Sequence, residues 1–260
     1  MRLSFLAAAI VMSIITSAAA KTVLITGSNS GIGLEFAKQY AAKGWDVITT
    51  HRRSSEPDSL IKLRSQYPEL IHIETMDVTN HAQIDALAKK IEGTSIDVLI
   101  SNAGITGDFR NPTPQSFGTL DYDQWENFMR INALGSLKVS EAFSEHVKSS
   151  EDKTIAAITS LAGTLSYDGP TMPGGYWYKG SKATLNAYMK FVSSELRNND
   201  VIVVLLSPGQ VKVEKMGDVS FPGLIEPAES ISGMISVIGG LTLEDSGKLY
   251  SYNGQEQPLY

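Results

Sequence analysis

The chain has 260 residues, 42% of them hydrophobic and 19% charged, with a formal net charge of −6 and no cysteine. Acidic and basic residues are interspersed, so no basic stripe suits nucleic acid or an anionic membrane, and the missing thiols remove disulfides and thiolate chemistry. No internal repeat, low-complexity tract or linker is apparent, and the span 21–260 suits one α/β domain.

The first residues stand apart. Met1-Arg2 gives a positive start, Leu3 to Ile15 is almost wholly apolar, and Ser17-Ala18-Ala19-Ala20 precedes Lys21. This is the pattern of a secretory signal peptide over residues 1–20 with an Ala-x-Ala cleavage site, and it predicts export to a periplasm or medium. A retained anchor would need about 20 apolar residues. A strand begins at Thr22 with no intervening linker, so no stable membrane insertion is expected. Translation from Met12 would instead give a cytoplasmic protein.

Thr22-Val23-Leu24-Ile25-Thr26 reads as a buried strand and runs into Gly27-Ser28-Asn29-Ser30-Gly31-Ile32-Gly33. The helix that follows presents Ile32, Phe36, Tyr40 and Ala41 on one side and ends at Gly44, a suitable C-terminal cap. A glycine-rich turn between strand and helix lets backbone N–H groups approach a pyrophosphate at the positive helix end. A second strand, Trp45 to Arg53, ends in basic residues and carries no carboxylate between Val47 and Arg53. Acidic residues at that strand end bind a ribose 2′-hydroxyl and arginines accommodate a 2′-phosphate. NADP(H) is therefore favoured over NAD(H), with Arg52, or else Arg53, at the phosphate.

A third strand, Leu70 to Met76, leads to Asp77-Val78 and an amphipathic helix through Ile84, Leu87, Ala88 and Ile91. The fourth, Asp97-Val98-Leu99-Ile100, stops at Ser101-Asn102-Ala103-Gly104, a small hydrogen-bonding turn at the ligand-binding edge of a parallel sheet. Asn102 could equally be structural, bonding nearby backbone. A helix from about Asp121 passes through Trp125, Phe128, Met129, Ile131, Leu134 and Leu137, with Asn132 among the apolar residues. That amide either bonds across the core or serves a site.

The strand Thr154 to Ser160 precedes a Gly/Pro-rich loop, after which Tyr178-Lys179-Gly180-Ser181-Lys182 opens a helix marked by Leu185, Tyr188, Met189, Val192 and Leu196. Tyr178 and Lys182 lie one turn apart on one face. A phenol with a pKa near ~10 needs a neighbouring cation to ionise readily at neutral pH, and Lys182 is placed to supply it. Tyr176 competes with Tyr178, but the residue one turn beyond it is Gly180; Ser160 competes with Ser166, which lies inside the loop.

Together these residues resemble the short-chain dehydrogenase/reductase family over nearly all of Thr22 to Tyr260. The matches are Thr26-Gly27-x-x-x-Gly31-Ile32-Gly33, Asp77, Asn102-Ala103-Gly104, Asn132, Ser160, Tyr178, Lys182 and Pro208-Gly209. The tail, with Leu241-Thr242-x-Glu244-Asp245-Ser246-Gly247 and Tyr252-Asn253-Gly254, looks like the subgroup named for the bacterial C-factor and related to sniffer-type carbonyl reductases. The resemblance implies a single Rossmann-type, doubly wound parallel sheet with helices on both faces. It implies hydride transfer between a nicotinamide and a carbonyl or alcohol, with Tyr178 exchanging the proton and Ser160 holding the oxygen. Lys182 would lower the phenol pKa and contact the ribose, while Asn132 would hold a water. The cofactor would be held by Gly27, Ser30, Gly31, Ile32, Gly33, Arg52, Asp77, Val78, Asn102, Ala103, Gly104, Tyr178, Lys182, Pro208, Gly209 and Val211. Helices carrying Asn132 and Tyr178 would pair subunits into a homo-dimer or homo-tetramer. A non-catalytic dinucleotide-binding or signalling protein is the rival reading, and an epimerase on the same fold fits the glycine spacing less well.

Two departures stand out. Where the family carries a threonine after Pro-Gly, this chain has Val213, which lacks a hydroxyl; Ser220 or backbone would have to substitute. Export would also remove the protein from the cytosolic NADP(H) pool. The loops Leu161 to Trp177, with Met172-Pro173-Gly174-Gly175, and Gln210 to Pro227 are expected to flank the nicotinamide, and Tyr167, Trp177 and Phe221 in them either line an apolar substrate pocket or are packing residues.

Overall fold

A computed structural model describes residues 20–108, 111, 113–166, 175–217, 220 and 222–260. Residues 1–19 of the expected signal sequence, Tyr167, Met172 to Gly174 and Phe221 lie outside these residues. Buried β-branched runs form the centre: β1 (Thr22–Ile25), β2 (Asp46–His51), β3 (Ile71–Thr75), β4 (Val98–Ser101), β5 (Thr154–Ile158) and β6 (Ile202–Ser207). Two short strands, β9 (Leu249–Ser251) and β10 (Glu256–Gln257), complete an eight-stranded sheet of order β10-β9-β6-β5-β4-β1-β2-β3. All its pairs are parallel except β9 with β10, where the chain reverses over Gly254 (φ +84°). A separate parallel pair joins β7 (Gln210–Val211) to β8 (Leu224–Ile225).

Helices cover both faces because the central strands β1, β4, β5 and β6 are buried on both sides. On one face α1 (Gly31–Ala42), α2 (Asp58–Gln66) and α8 (Pro227–Gly239) bury Phe36, Tyr40, Leu60, Ile231 and Met234 against Val23, Ile25 and Ile100. On the other, α3 (His81–Lys90), α5 (Gly135–Ala142), α6 (Ser144–Lys148) and α7 (Tyr176–Leu196) bury Ile84, Val139, Val147, Leu185 and Met189 against Leu24, Leu99 and Ile155. Each such aliphatic side chain removed from water contributes roughly 1.5–3 kcal/mol before entropy is counted. Among the described residues no helix is long and apolar enough to cross a membrane.

The sheet order reverses between β1 and β4, opening a crevice beyond the carboxyl ends of these strands, the usual ligand position in such sheets. One expected element is remodelled. The helix predicted from Asp121 begins as a 3₁₀ turn (Tyr122–Gln124), continues as α4 (Trp125–Met129), widens into a π segment (Arg130–Leu134) and resumes as α5. Such widened turns recur at functional sites. Here the π segment contains Asn132, whose side chain is turned into the crevice wall.

Candidate active site

The crevice encloses about 1020 Å³ and gathers residues from the ends of β1, β2, β4, β5 and β6. At its base the first turn is closed by backbone geometry. Gly27 and Gly31 have φ of +66° and +54°, and a Cβ on Gly33 would stand 2.4 Å from the Gly27 carbonyl oxygen and 2.5 Å from Asn102 Nδ2. Only glycine fits such an approach. Buried Ser28 fastens the turn to β2, donating to the Ile25 carbonyl (2.6 Å) and accepting from the Thr50 N–H (3.1 Å). Asn102 Nδ2 donates to the carbonyls of Thr26 (2.9 Å) and Gly27 (3.2 Å), while Thr26 Oγ1 accepts from the N–H groups of Asn102 and Ala103. Asn102 is thus a lock between β1 and β4, as its structural reading anticipates. The cradle so formed, with N–H groups at the positive end of α1, fits a pyrophosphate.

All the residues expected at the cofactor line the crevice: Gly27, Ser30, Gly31, Ile32, Gly33, Arg52, Asp77, Val78, Asn102, Ala103, Gly104, Pro208, Gly209 and Val211, together with Tyr178 and Lys182. Arg52 and Arg53 are both exposed at the β2 end, and neither is in an ion pair among the described residues. Asp77 Oδ1 accepts from the N–H and hydroxyl of Thr79, which fixes the carboxylate at the rim.

At the other end, Ser160 follows β5 in extended conformation and caps the 3₁₀ turn Leu161–Gly163, its oxygen accepting from the Ala162 N–H (3.2 Å). Enclosure of the Tyr178 phenol pushes its pKa above the ordinary 10, and the neighbouring Ser160 hydroxyl is the opposing influence. The predicted depression by Lys182 is not seen. Lys182, 5% exposed, donates instead to the Ile158 carbonyl (2.8 Å), and burial lowers its own pKa to about 8. Gly104 leaves room for the neighbouring amide, since a Cβ there would lie 3.1 Å from Asn132 Oδ1, while its 3.7 Å from Lys182 Nζ would be an ordinary contact.

Asn132 is fully buried, with Oδ1 accepting from the Ile105 N–H (2.8 Å) and Nδ2 donating to the Ile105 carbonyl (2.9 Å) and Ser181 Oγ (2.9 Å). Its side chain braces the loop after β4, a role the resemblance does not imply. The competitors separate clearly. Tyr176 is 48% exposed outside the crevice with its ring tilted against Phe117, and Ser166 donates to the Tyr260 carbonyl. Trp177 packs edge-on against Tyr122 and does not line the crevice, so of its two readings the packing one fits.

Several lining residues, Gln115, His51 and Glu214 among them, are not singled out individually in the sequence. Gln115 joins the crevice from the turn Thr113–Gln115, and His51 from the end of β2, with Nδ1 accepting from the Arg53 N–H. Glu214 follows Val213, and its Oε2 accepts from the Gly31 N–H at 3.3 Å. Val213 itself packs on Gly31, and Ser220 does not line the crevice.

Comparison with known proteins gives a consistent picture. The family model described as short chain dehydrogenase matches residues 21–221. The chain is 36% identical over 174 residues to C-signal of Myxococcus xanthus, covering 66% of this chain and 98% of that protein. Its fold matches NADPH-bound carbonyl reductase from chicken fatty liver with a TM-score of 0.83 at 27% identity, over 92% of this chain and 99% of that one. A carbonyl reductase from Pseudomonas aeruginosa PAO1 in complex with NADP matches with a TM-score of 0.79 at 26% identity, over 92% and 100%.

Proposed function

The chain belongs to the short-chain dehydrogenase family, and from that premise we propose that it is an NADP-dependent carbonyl reductase in which Tyr178 is the proton donor. The observation that carries the reading is the convergence of Ser160, Tyr178 and Lys182 on the crevice whose opposite end is the glycine turn.

When bound, the nicotinamide cofactor supplies hydride to the carbonyl carbon. The phosphates would rest on the turn from Gly27 to Gly33, the 2′-phosphate against Arg52 or Arg53, and the adenine beside Asp77 and Val78. Asn102, Ala103, Gly104, Pro208, Gly209 and Val211 would bound the nicotinamide side. The phenol of Tyr178, its pKa raised by burial, is protonated at neutral pH. That state suits reduction: Tyr178 gives its proton to the carbonyl oxygen, Ser160 donates a hydrogen bond to the same oxygen, and an alcohol is released. Lys182, with a pKa near 8, can return a proton to the resulting phenolate. NADPH oxidation by the purified protein over a panel of aldehydes and ketones, with NADH in parallel, tests the assignment; bound NADPH with no turnover would contradict it.

The identity to C-signal supports a second reading, a dinucleotide-binding signalling protein. Loss of the biological effect in Tyr178→Phe with cofactor binding intact would argue against it. Export through a signal sequence over residues 1–20 is our proposal for location, with a Met12 start and a cytoplasmic protein as the alternative. Intact mass of the native protein separates the two and reports the number of associated chains.

A further inference from the structure

The first turn of α7 has an unusual cap. Its N-cap residue is Gly175, which has no side chain to accept from the first-turn N–H groups, and the earliest intrahelical bond is Lys179 N–H to the Gly175 carbonyl. The Tyr178 N–H is therefore one of the donors a helix start leaves without a partner inside the helix. Gln115, 63 residues earlier and 5% exposed, fills the gap: its Oε1 accepts from the Tyr178 N–H at 3.0 Å. Its Nε2 donates to the Thr106 carbonyl at 3.1 Å. An N–H on one side and a carbonyl on the other allow only this orientation of the amide. Gly107, with φ +84°, makes way for it, since a Cβ there would meet Gln115 Nε2 at 2.2 Å.

The other end of the same residue is tied to the same place. The Tyr178 carbonyl accepts from Ser181 Oγ (2.8 Å), Ser181 accepts from Asn132 Nδ2, and Asn132 holds both polar backbone atoms of Ile105. Both polar backbone atoms of Tyr178 are thus anchored to Ile105-Thr106, the chain that leaves β4 through Asn102-Ala103-Gly104.

We propose that Gln115 is a positioning residue for Tyr178: its buried amide fixes the phenol relative to the β4 edge, so that proton donor and cofactor share one frame. The inference rests on the reductase reading above. It asks nothing of Gln115 in the chemistry itself, only that misplacement of a reacting group is costly, of the order of a hundredfold in rate per ångström.

The test compares Gln115→Leu, which removes both bonds, with Gln115→Glu, which keeps the acceptor but regains the donor only when protonated. For Gln115→Leu the expected result is a fall in kcat of about tenfold or more, with carbonyl KM and NADPH affinity within about threefold. Amide hydrogen exchange should quicken at Tyr178 while the middle of α7 stays protected. For Gln115→Glu, kcat relative to the parent should rise as pH falls toward 5.5, a dependence that simple loss of packing would not give. Parent-like kcat in Gln115→Leu, an unchanged Tyr178 amide, or exchange raised throughout α7 would overturn the proposal. If the parent binds NADPH yet reduces no carbonyl, the functional reading fails, and the Tyr178 amide still decides whether Gln115 positions it.

Discussion

Glu214 sets a carboxylate oxygen 3.3 Å from the Gly31 backbone nitrogen, at the positive end of α1 where a pyrophosphate would bind. A helix N-terminus favours a nearby anion by about 0.3–1 kcal/mol, so the protein holds its own anion on the phosphate cradle. A dinucleotide has to displace it and then tolerate its charge. Glu214→Gln is expected to tighten NADPH binding about two- to fivefold and to weaken its dependence on salt. Fluorescence titration at two ionic strengths measures both, and unchanged or weaker binding would contradict the assignment.

Arg52 and Arg53 stand exposed at the end of β2 with no ion-pair partner among the described residues. A hydrogen bond to a charged group contributes about 1.5–3 kcal/mol. Arg52→Ala is therefore expected to weaken NADPH binding by about ten- to a hundredfold and to leave NADH binding nearly unchanged. Equal losses for the two cofactors would place the 2′-phosphate elsewhere, with Arg53 the next residue to change.

Lys182 links the site to stability. Burial lowers its pKa from 10.5 to about 8 in the folded protein, whereas the unfolded chain keeps the ordinary value. Between about pH 8 and 10.5 the unfolded state binds the extra proton, so this group makes stability rise with pH across that window. Below pH 8 the cost of the buried ammonium is fully present, roughly 3 kcal/mol at 1.36 kcal/mol per pKa unit. Urea denaturation of the cofactor-free protein should show Lys182→Met gaining on the parent below pH 8 and losing that advantage toward pH 10.5. A difference independent of pH would be inconsistent with a depressed Lys182.

Gly33 allows the first turn to close on Asn102. A Cβ at 2.4 Å from the Gly27 carbonyl oxygen would displace backbone, not a flexible side chain. Gly33→Ala is expected to cost about 1–3 kcal/mol of stability and to weaken NADPH binding more than it slows the chemical step. Thermal unfolding with and without cofactor checks this.

The central architecture was legible because its signals are local. Val23-Leu24-Ile25 and Val203-Val204-Leu205 are buried on both sides, which a run of β-branched and aliphatic residues announces. Tyr178 was separated from Tyr176 by the lysine one turn on, and the structure puts only Tyr178 in the crevice. Relations across the chain left no such mark. Gln115 sits in a short turn and acts through Thr106 and Tyr178. Glu214 meets Gly31 across 183 positions. The π segment at Asn132 breaks no apolar period, because Phe128 and Val139 stay buried on either side of it. The two-residue strands β7, β8 and β10 are too short to show a period. Lys182 was found by spacing, but its hydrogen-bond partner is the Ile158 carbonyl, a backbone group no side-chain motif encodes.

The most direct measurement is a single-turnover comparison of the parent and Tyr178→Phe, both saturated with NADPH and mixed with a reducible carbonyl substrate. The account predicts that Tyr178→Phe binds NADPH within about threefold of the parent yet reduces the carbonyl about 10²–10⁴-fold more slowly, the range expected when a positioned proton donor is removed. Carbonyl reduction at the parent rate in Tyr178→Phe would contradict it.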